Sequence, residues 1–132
     1  MDRRYFTLEE AQGLVPWLTE RFSGIAPLRE QAGRLNSEIE ALLERTRSNG
    51  GGEAPGLLAR RRRTLRQKTD QIEQQVRLVQ QTGLIVKGIE RALVDFPSIR
   101  DGREVYLCWL EGEHQIGFWH EVDAGFAGRQ AL

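Results

Sequence analysis

The stretch SIRDGREVYLCWLEGEHQIGFWHEV, Ser98–Val122, decides the fold, since it holds two turn signals between apolar and aromatic runs. Asp101-Gly102 suits a two-residue type I′ turn because both residues tolerate positive φ. Gly112-Glu113 suits the related type II′ turn, which has glycine first. With the residues just before it, the stretch predicts a three-stranded antiparallel β-meander and an ordered tail over about residues 94–132.

Two-residue turns also fix which residues of neighbouring strands lie opposite each other. The predicted pairs are Arg100 with Arg103, Leu110 with Gln115, Trp109 with Ile116, Leu107 with Phe118, Val105 with His120, and Glu104 with Glu121. Strand alternation then places the apolar members of these pairs on one face, which is apolar enough to pack against helices. His120 falls at the end of that face.

Before the meander, apolar residues recur with helical spacing. One series is Ile25, Leu28, Ala32, Leu35, Ile39 and Leu42, and a second is Leu58, Leu65, Ile72, Val79, Val86 and Leu93. These heptad patterns predict a long, coiled-coil-like antiparallel helical hairpin within about residues 8–93. Residues 47–56, RSNGGGEAPG, contain no apolar anchor and predict a flexible loop between the two helices.

The chain begins its helical part with a capping box, in which Thr7 is followed three residues later by Glu10. We expect this first helix to be short, because a proline lacks the amide donor and disfavours helical geometry at the preceding residue. The break is predicted at Pro16 or at Pro27. The fold class is therefore α+β, with a short N-terminal helix, a helical hairpin and a β-meander in one domain, residues 1–132.

Composition limits the classes of partner. The chain has 19 Lys and Arg against 19 Asp and Glu in 132 residues, so no overall charge attracts it to nucleic acid or to an acidic membrane surface. The basic run Arg60–Arg63 is interpreted as a solvated helix face that is ion-paired with glutamates of the facing helix. Nucleic-acid binding is not expected.

Cysteine content and the N-terminus bear on the compartment. The single Cys108 excludes an intrachain disulfide and a multi-cysteine zinc cluster, which fits a reducing compartment. MDRRYFTLEE has no apolar segment behind its basic residues, and no run approaches the roughly 18 apolar residues of a membrane span. We predict a cytoplasmic protein without a membrane anchor.

Two polar residues fall where the pattern calls for apolar ones. Glu90 occupies a heptad position, so its carboxylate is either paired with a cation such as Arg91 or Arg129 or serves as a site ligand. His120, at the margin of the apolar sheet face, is either a hydrogen-bonded core residue or a metal ligand or base. Both interpretations stay open for each residue.

The predicted pairing also brings acidic residues near His120. Glu104 lies opposite Glu121, a destabilising arrangement unless a cation lies between them, and Asp123 points to the same side as Glu121. Mixed oxygen and imidazole ligands suit zinc, manganese or iron. The candidate metal ligands are His120, Glu121 and Asp123, although HEVD matches no spaced metal-binding motif.

Two classes of function follow from these features. We favour a non-enzymatic interaction or scaffold module that self-associates, as a homodimer through its helices or sheet edge, or binds another protein. The alternative is a metal-ion or small-ligand site at the helix–sheet junction, with hydrolysis as the chemistry that an open metal position allows. Its candidate ligand-binding residues are Glu90, Asp95, Glu104 and Arg129, with Arg129 as an anion clamp. Whether the chain is an enzyme stays open.

The chain also resembles a known family. The words YFTLEEAQGLVPWL, residues 5–18, and LVDFPSIRDGREVYLCWLEGEHQIGFWHEVDAGFAGRQAL, residues 93–132, are similar to a family of small bacterial proteins classed as domain of unknown function 2203. The resemblance covers essentially the whole chain and is strongest from Gly83 to Gln130. It brings no activity that transfers to particular residues. It implies a prokaryotic, soluble, single-domain protein with the C-terminal block as its signature.

Overall fold

The computed structural model describes residues 3–49 and 55–132, which form two helices and a five-stranded sheet. In chain order they are α1 (Leu8–Asn49), α2 (Pro55–Gln81), β1 (Ile85–Gly88), β2 (Leu93–Arg100), β3 (Arg103–Leu110), β4 (Phe118–Glu121) and β5 (Gln130–Ala131). The α+β class is confirmed. The flexible loop predicted over residues 47–56 is too long, because residues 47–49 are in α1 and residues 55–56 are in α2; its residues 50–54 lie outside the described residues.

The described chain forms two compact units, residues 3–23 with 75–132 and residues 24–49 with 55–74. The sheet belongs to the first unit, and the second is helical. Within the described residues, neither helix combines the length and apolar character needed to cross a membrane. That residues 1–132 form a single domain stays a prediction.

The start of α1 follows the predicted capping box. The Thr7 amide donates to Glu10 Oε1 at 2.9 Å, and the Glu10 amide donates to Thr7 Oγ1 at 3.1 Å. Two amides that a helix N-terminus otherwise leaves without acceptors are thereby satisfied. The helix begins at Leu8, as predicted.

The predicted break at Pro16 or Pro27 is wrong, because α1 continues through both prolines for 42 residues. Pro16 is exposed, and the buried residues around it follow helical spacing: Ala11, Val15, Leu18 and Phe22. These four residues lie on one side of α1 only if the helix continues through Pro16. Their packing outweighs the cost of an interior proline, about 3 kcal/mol. The short N-terminal helix of the prediction is the first part of α1.

The second helix ends earlier than the heptad pattern predicted. Its end is closed by the Thr82 hydroxyl, which donates to a helix carbonyl at 2.6 Å, and by Gly83 with φ of +97°. Val86 then lies in β1 and Leu93 in β2, so the helical hairpin does not reach residue 93. The apolar residues beyond Gly83 that continue the heptad pattern therefore belong to strands of the sheet and not to α2.

In the helical unit, α1 and α2 segments run antiparallel. Glu38 Oε2 and Arg61 Nε are 2.9 Å apart, and Leu35 lines a groove together with Lys68. The earlier residue of α1 thus lies near the later residue of α2, as in an antiparallel pair. The ion pair fits the interpretation of the arginine run as a solvated, paired face. Four heptad positions of this unit are buried: Ile25, Ile39, Leu42 and Ile72. Coiled-coil supercoiling stays a prediction.

The sheet has five antiparallel strands in the order β1-β2-β3-β4-β5, so the prediction of three strands is wrong. The two additional strands lie at its edges: β1 lies where the heptad pattern predicts helix, and β5 lies in the tail. The first predicted turn is confirmed, since Arg100 pairs with Arg103 and both turn residues have positive φ, 51° at Asp101 and 77° at Gly102.

The predicted pairing of β3 with β4 is wrong by one residue. Tyr106, not Val105, lies opposite His120, and Val105 lies opposite Glu121, where the prediction had Glu104. A one-residue change of register moves every side chain of a strand to the other face. His120 therefore shares a face with Tyr106.

The cause of this error is the connection between β3 and β4, which is not a two-residue turn but residues 111–117. The side chain of Gln12 in α1 holds it at two points. Its Nε2 donates to the His114 carbonyl at 3.1 Å, and its Oε1 accepts from the Ile116 amide at 2.7 Å. The position of this connection thus depends on a residue far away in the sequence.

The two faces of the sheet differ in chemistry. One, which we call the helix face, packs on α1 and the residues before it: the Phe6 and Phe96 ring centroids are 5.6 Å apart, and those of Phe22 and Trp109 are 6.2 Å apart. The other, which we call the site face, carries by register Asp95, Pro97, Tyr106, Cys108, Phe118 and His120. All of them except Phe118 are buried.

We predict that Gly83→Ala lowers the free energy of unfolding by about 1–2 kcal/mol, because φ of +97° is in a region that residues with a Cβ rarely adopt. A Cβ there also lies 3.2 Å from the Cβ of Arg4. Urea unfolding followed by circular dichroism measures the change. Gly13→Ala is the control, since its Cβ meets nothing within 4 Å and a helix-interior alanine is more stable by about 1 kcal/mol. Equal stability of Gly83→Ala and wild type contradicts this account of the α2 end.

Candidate functional site

The structure separates most of the predicted site residues. Glu90 is exposed in the turn between β1 and β2, and Asp123 is exposed in the turn after β4. Glu121 is on the helix face, opposite to His120 in direction, and its Oε1 pairs with Arg103 Nη2 at 2.5 Å. The structure does not bring His120, Glu121 and Asp123 together.

Glu104 is engaged by the residues that precede α1. Arg3 Nη1 forms an ion pair with Glu104 Oε1, and the Tyr5 hydroxyl lies 3.4 Å from Glu104 Oε2. Arg3 Nη1 also donates to the Tyr106 hydroxyl at 3.2 Å. Glu104 therefore fixes the N-terminal segment on the sheet, and no second carboxylate lies opposite it in the observed register.

Asp95 and His120, by contrast, meet on the site face. Asp95 is in β2 opposite Cys108, and His120 is in β4 opposite Tyr106, so their side chains reach towards each other across β3. Asp95 Oδ1 and His120 Nε2 are 3.0 Å apart, and each side chain is only 2% exposed. An acidic carboxyl group and a basic imidazole thus form one buried, hydrogen-bonded pair.

Hydrogen bonding fixes how many protons this pair holds. His120 Nδ1 lies 2.8 Å from the Glu121 carbonyl oxygen, which only accepts, so Nδ1 carries a proton. The contact between Nε2 and Asp95 Oδ1 needs one further proton, placed on either atom. The pair is either an imidazolium with a carboxylate or an imidazole with a carboxylic acid. Both forms are neutral overall, which is what burial requires.

Cys108 completes a three-residue cluster with this pair. One ligand atom each from Asp95, Cys108 and His120 lies within 4.8 Å of the others, and all three residues are buried. Burial raises the pKa of the Cys108 thiol to about 11; nearby Arg129 partly opposes that shift and Asp95 adds to it. Cys108 is thus a protonated thiol near neutral pH.

Sequence reasoning missed Cys108 as a site residue. In the sequence, the single cysteine bears only on disulfides and multi-cysteine zinc clusters. The predicted pairing, which is wrong by one residue, places Cys108 and His120 on opposite faces of the sheet. A signal was present in VDFP, where Asp95 interrupts an apolar strand and so needs a buried polar partner. The observed register supplies that partner.

Arg129 anchors the C-terminal tail. Its guanidinium carbon lies 4.2 Å from the Phe118 ring centroid and 4.9 Å from that of Phe126. Its Nη2 donates to Glu113 Oε1 at 2.8 Å and to the Cys108 carbonyl at 3.2 Å. The predicted anion clamp therefore already holds an anion from the chain itself, the Glu113 carboxylate.

A second feature is an apolar groove of about 450 Å³, which we call the N-terminal groove. It lies where the residues before α1 meet the ends of β2 and β3. Its lining residues are Tyr5, Phe6, Thr7, Leu8, Ser98, Ile99, Arg100, Val105, Leu107 and Leu132. Four of them are large apolar residues left at least 43% exposed: Tyr5, Leu8, Ile99 and Leu132. None of the three cluster residues lines this groove.

Comparison with known proteins identifies the family. The chain belongs to the family of uncharacterised conserved proteins called DUF2203, whose family model matches residues 4–132. The resemblance noted in the sequence is thereby confirmed at the level of the family. No curated protein and no solved structure matches the chain.

We predict that Cys108 reacts slowly with iodoacetamide while the protein is folded. Raising the thiol pKa from 9.0 to about 11 lowers the reactive thiolate fraction at pH 8 about 100-fold, and burial slows the reaction further. Mass spectrometry at timed intervals measures the rate. The same chain unfolded in guanidinium chloride is the control and should react at the rate of an ordinary thiol. Equal rates in the two states are the outcome that rules out a buried, protonated Cys108.

Proposed function

We propose that this chain is a protein-interaction module that associates with a second copy of itself through the N-terminal groove. The supporting observation is the exposed apolar rim of that groove. Ile99 is 52% exposed and Leu8 44% exposed, beside a buried floor that includes Val105 and Leu107. Large apolar side chains gathered around a concave apolar surface are typical of interaction sites.

Charge favours a second copy as the occupant. Arg100 lines the groove with its guanidinium over the Trp119 ring, and Glu9 is exposed on α1 next to Leu8. Neither residue belongs to an ion pair within residues 3–49 and 55–132. In a two-fold dimer, each copy offers Glu9 to the partner's Arg100, so one favourable contact occurs twice.

The size and charge of the chain limit how tight this association is. The formal net charge is zero, so two copies do not repel each other as a whole. Four half-exposed side chains form a patch smaller than the roughly 800 Å² per partner of a standard stable interface. The dimer we propose is therefore weak and forms at concentrations of about micromolar or above.

Cytoplasmic location, bacterial origin and coiled-coil packing of the helices belong to the same proposal. The location is supported by Cys108, which is free and buried. A reducing compartment keeps such a thiol unmodified. The bacterial origin is supported by the resemblance in sequence, and the coiled coil by the buried heptad positions of the helical unit.

We predict that Leu8→Glu raises the dimer dissociation constant about tenfold or more, because an apolar contact made by both copies is lost. An acidic residue in the first turn of α1 is compatible with the helix. Sedimentation equilibrium over a range of concentrations gives the constant. Leu78→Glu is the matched control, since Leu78 is 43% exposed on α2 outside the groove. A wild-type chain that stays monomeric at millimolar concentration removes the proposal.

A charge exchange tests the two-fold arrangement directly. Glu9→Arg and Arg100→Glu each place like charges at both symmetric contacts, so each variant alone should associate more weakly than wild type. Mixing equal amounts of the two variants restores both contacts in a heterodimer, and native mass spectrometry should find that species well above the twofold excess over each homodimer that random pairing gives. A random mixture of the three dimers would show that Glu9 does not meet Arg100 of a second copy.

A further inference from the structure

Asp95, Cys108 and His120 combine three ligand types on three adjacent strands. Oxygen, sulfur and nitrogen atoms of β2, β3 and β4 lie within 4.8 Å of one another in the buried site face. We propose that these three side chains bind one divalent transition-metal ion, with zinc as the preferred ion. This inference is independent of self-association through the groove.

The orientation of His120 supports a metal at Nε2. Its Nδ1–H donates to the Glu121 carbonyl at 2.8 Å, which fixes both the ring and the tautomer. Metal-binding histidines characteristically donate their second nitrogen to a carbonyl or carboxylate in this way. Nε2 then lies 3.0 Å from Asp95 Oδ1, and the Cys108 sulfur is within 4.8 Å of both side chains' ligand atoms.

The spacing of the donors is close to that of a metal site. Tetrahedral zinc with nitrogen and oxygen ligands at about 2.0–2.1 Å separates those two ligand atoms by about 3.3 Å. Asp95 Oδ1 and His120 Nε2 are 3.0 Å apart, so a widening of a few tenths of an ångström admits the ion. Rotation of the two side chains supplies such a movement without a change in strand pairing.

The charges of the site also match. Binding releases the Cys108 thiol proton and the proton shared by Asp95 and His120, and both go to solvent. The ion with two positive charges then meets one thiolate and one carboxylate, with a neutral imidazole, so the buried site has no net charge. Thiolate and imidazole favour zinc over magnesium or calcium, which take oxygen ligands.

The position of the cluster points to a structural role for the ion. All three ligands are at most 2% exposed, so substrate does not reach them from solvent. The ion would join β2, β3 and β4 at one point, and a ligand that binds only the folded chain raises its stability. The hydrogen-bonded pair of Asp95 and His120 holds the same strands when no metal is bound.

Cobalt provides a test that does not depend on variants. The full-length chain is freed of metal with a chelator and titrated with Co²⁺ and, separately, with Zn²⁺. We expect one equivalent to bind, a thiolate-to-cobalt charge-transfer band, and a rise in melting temperature of about 5 °C or more with either ion. Cys108 is the chain's single cysteine, so such a band identifies its sulfur as the ligand. Absence of the band together with an unchanged melting temperature overturns the proposal.

Variants separate this ligand set from the one predicted from sequence. Asp95→Asn keeps the shape of the side chain and a hydrogen-bonding group next to His120 but removes the charge, so we expect at least 100-fold weaker Co²⁺ binding. Cys108→Ala should lose the charge-transfer band. Asp123→Asn is the matched control at an exposed aspartate and should bind as wild type does. Unchanged binding in folded Asp95→Asn, or loss of binding in Asp123→Asn, contradicts the assignment. Near-ultraviolet circular dichroism verifies that each variant is folded.

Discussion

The hydrogen bond between Asp95 and His120 is the interaction on which the arrangement of the sheet depends. It joins β2 to β4 across β3, between two side chains that are each 2% exposed. A buried ionisable group without its partner costs about 3–5 kcal/mol, so the two residues must reach the same face. A slip of one residue in either strand pairing sends one of them to the opposite face. The polar pair therefore selects one register for three strands.

On the helix face, packing decides the structure in a different way. The buried side chains of α1 include Leu18 and Phe22, and the Phe22 ring contacts Trp109 of the sheet. Each buried apolar side chain contributes about 1.5–3 kcal/mol. Several such contributions exceed the cost of one interior proline. This explains why α1 passes through Pro16, although the local preference of proline opposes it. The two faces of the sheet thus have different roles. Buried apolar area on the helix face supplies stability, and the polar pair on the site face specifies the strand register.

The parts of the fold that could be predicted from sequence depend on neighbours in the chain. The capping box joins Thr7 to Glu10, and the turn at Asp101-Gly102 needs only those two residues to adopt positive φ. The β3–β4 connection was not predictable in this way, because Gln12 holds it from 102 and 104 residues away. Local signals therefore gave one strand pairing correctly and missed the next.

The candidate site was predictable to the same extent. His120 and Asp95 are polar residues within apolar strands, and this can be read from the sequence whatever the register of the strands. Cys108, by contrast, passes for an ordinary buried residue until the pairing of β3 is known. Glu121 and Asp123 are predicted as ligands because the wrong pairing of β3 with β4 places them with Glu104 along one acidic edge near His120. Adjacent residues of a strand point to opposite faces, and this separates Glu121 from His120.

The glycine-rich tail is explained by packing. Gly125 has φ of +67°, and a Cβ on Gly128 would lie 2.6 Å from the Cβ of Ala124. Gly125 is thus favoured by its backbone conformation, and Gly128 by the lack of space for a side chain beside Ala124. The Arg129 that follows them donates to both oxygens of Glu113, at 2.8 and 3.1 Å. An external anion has to displace that carboxylate and also reach a guanidinium whose side chain is only 13% exposed. The arrangement therefore favours Arg129 as the residue that fixes the tail beside Cys108 over Arg129 as a receptor for a ligand.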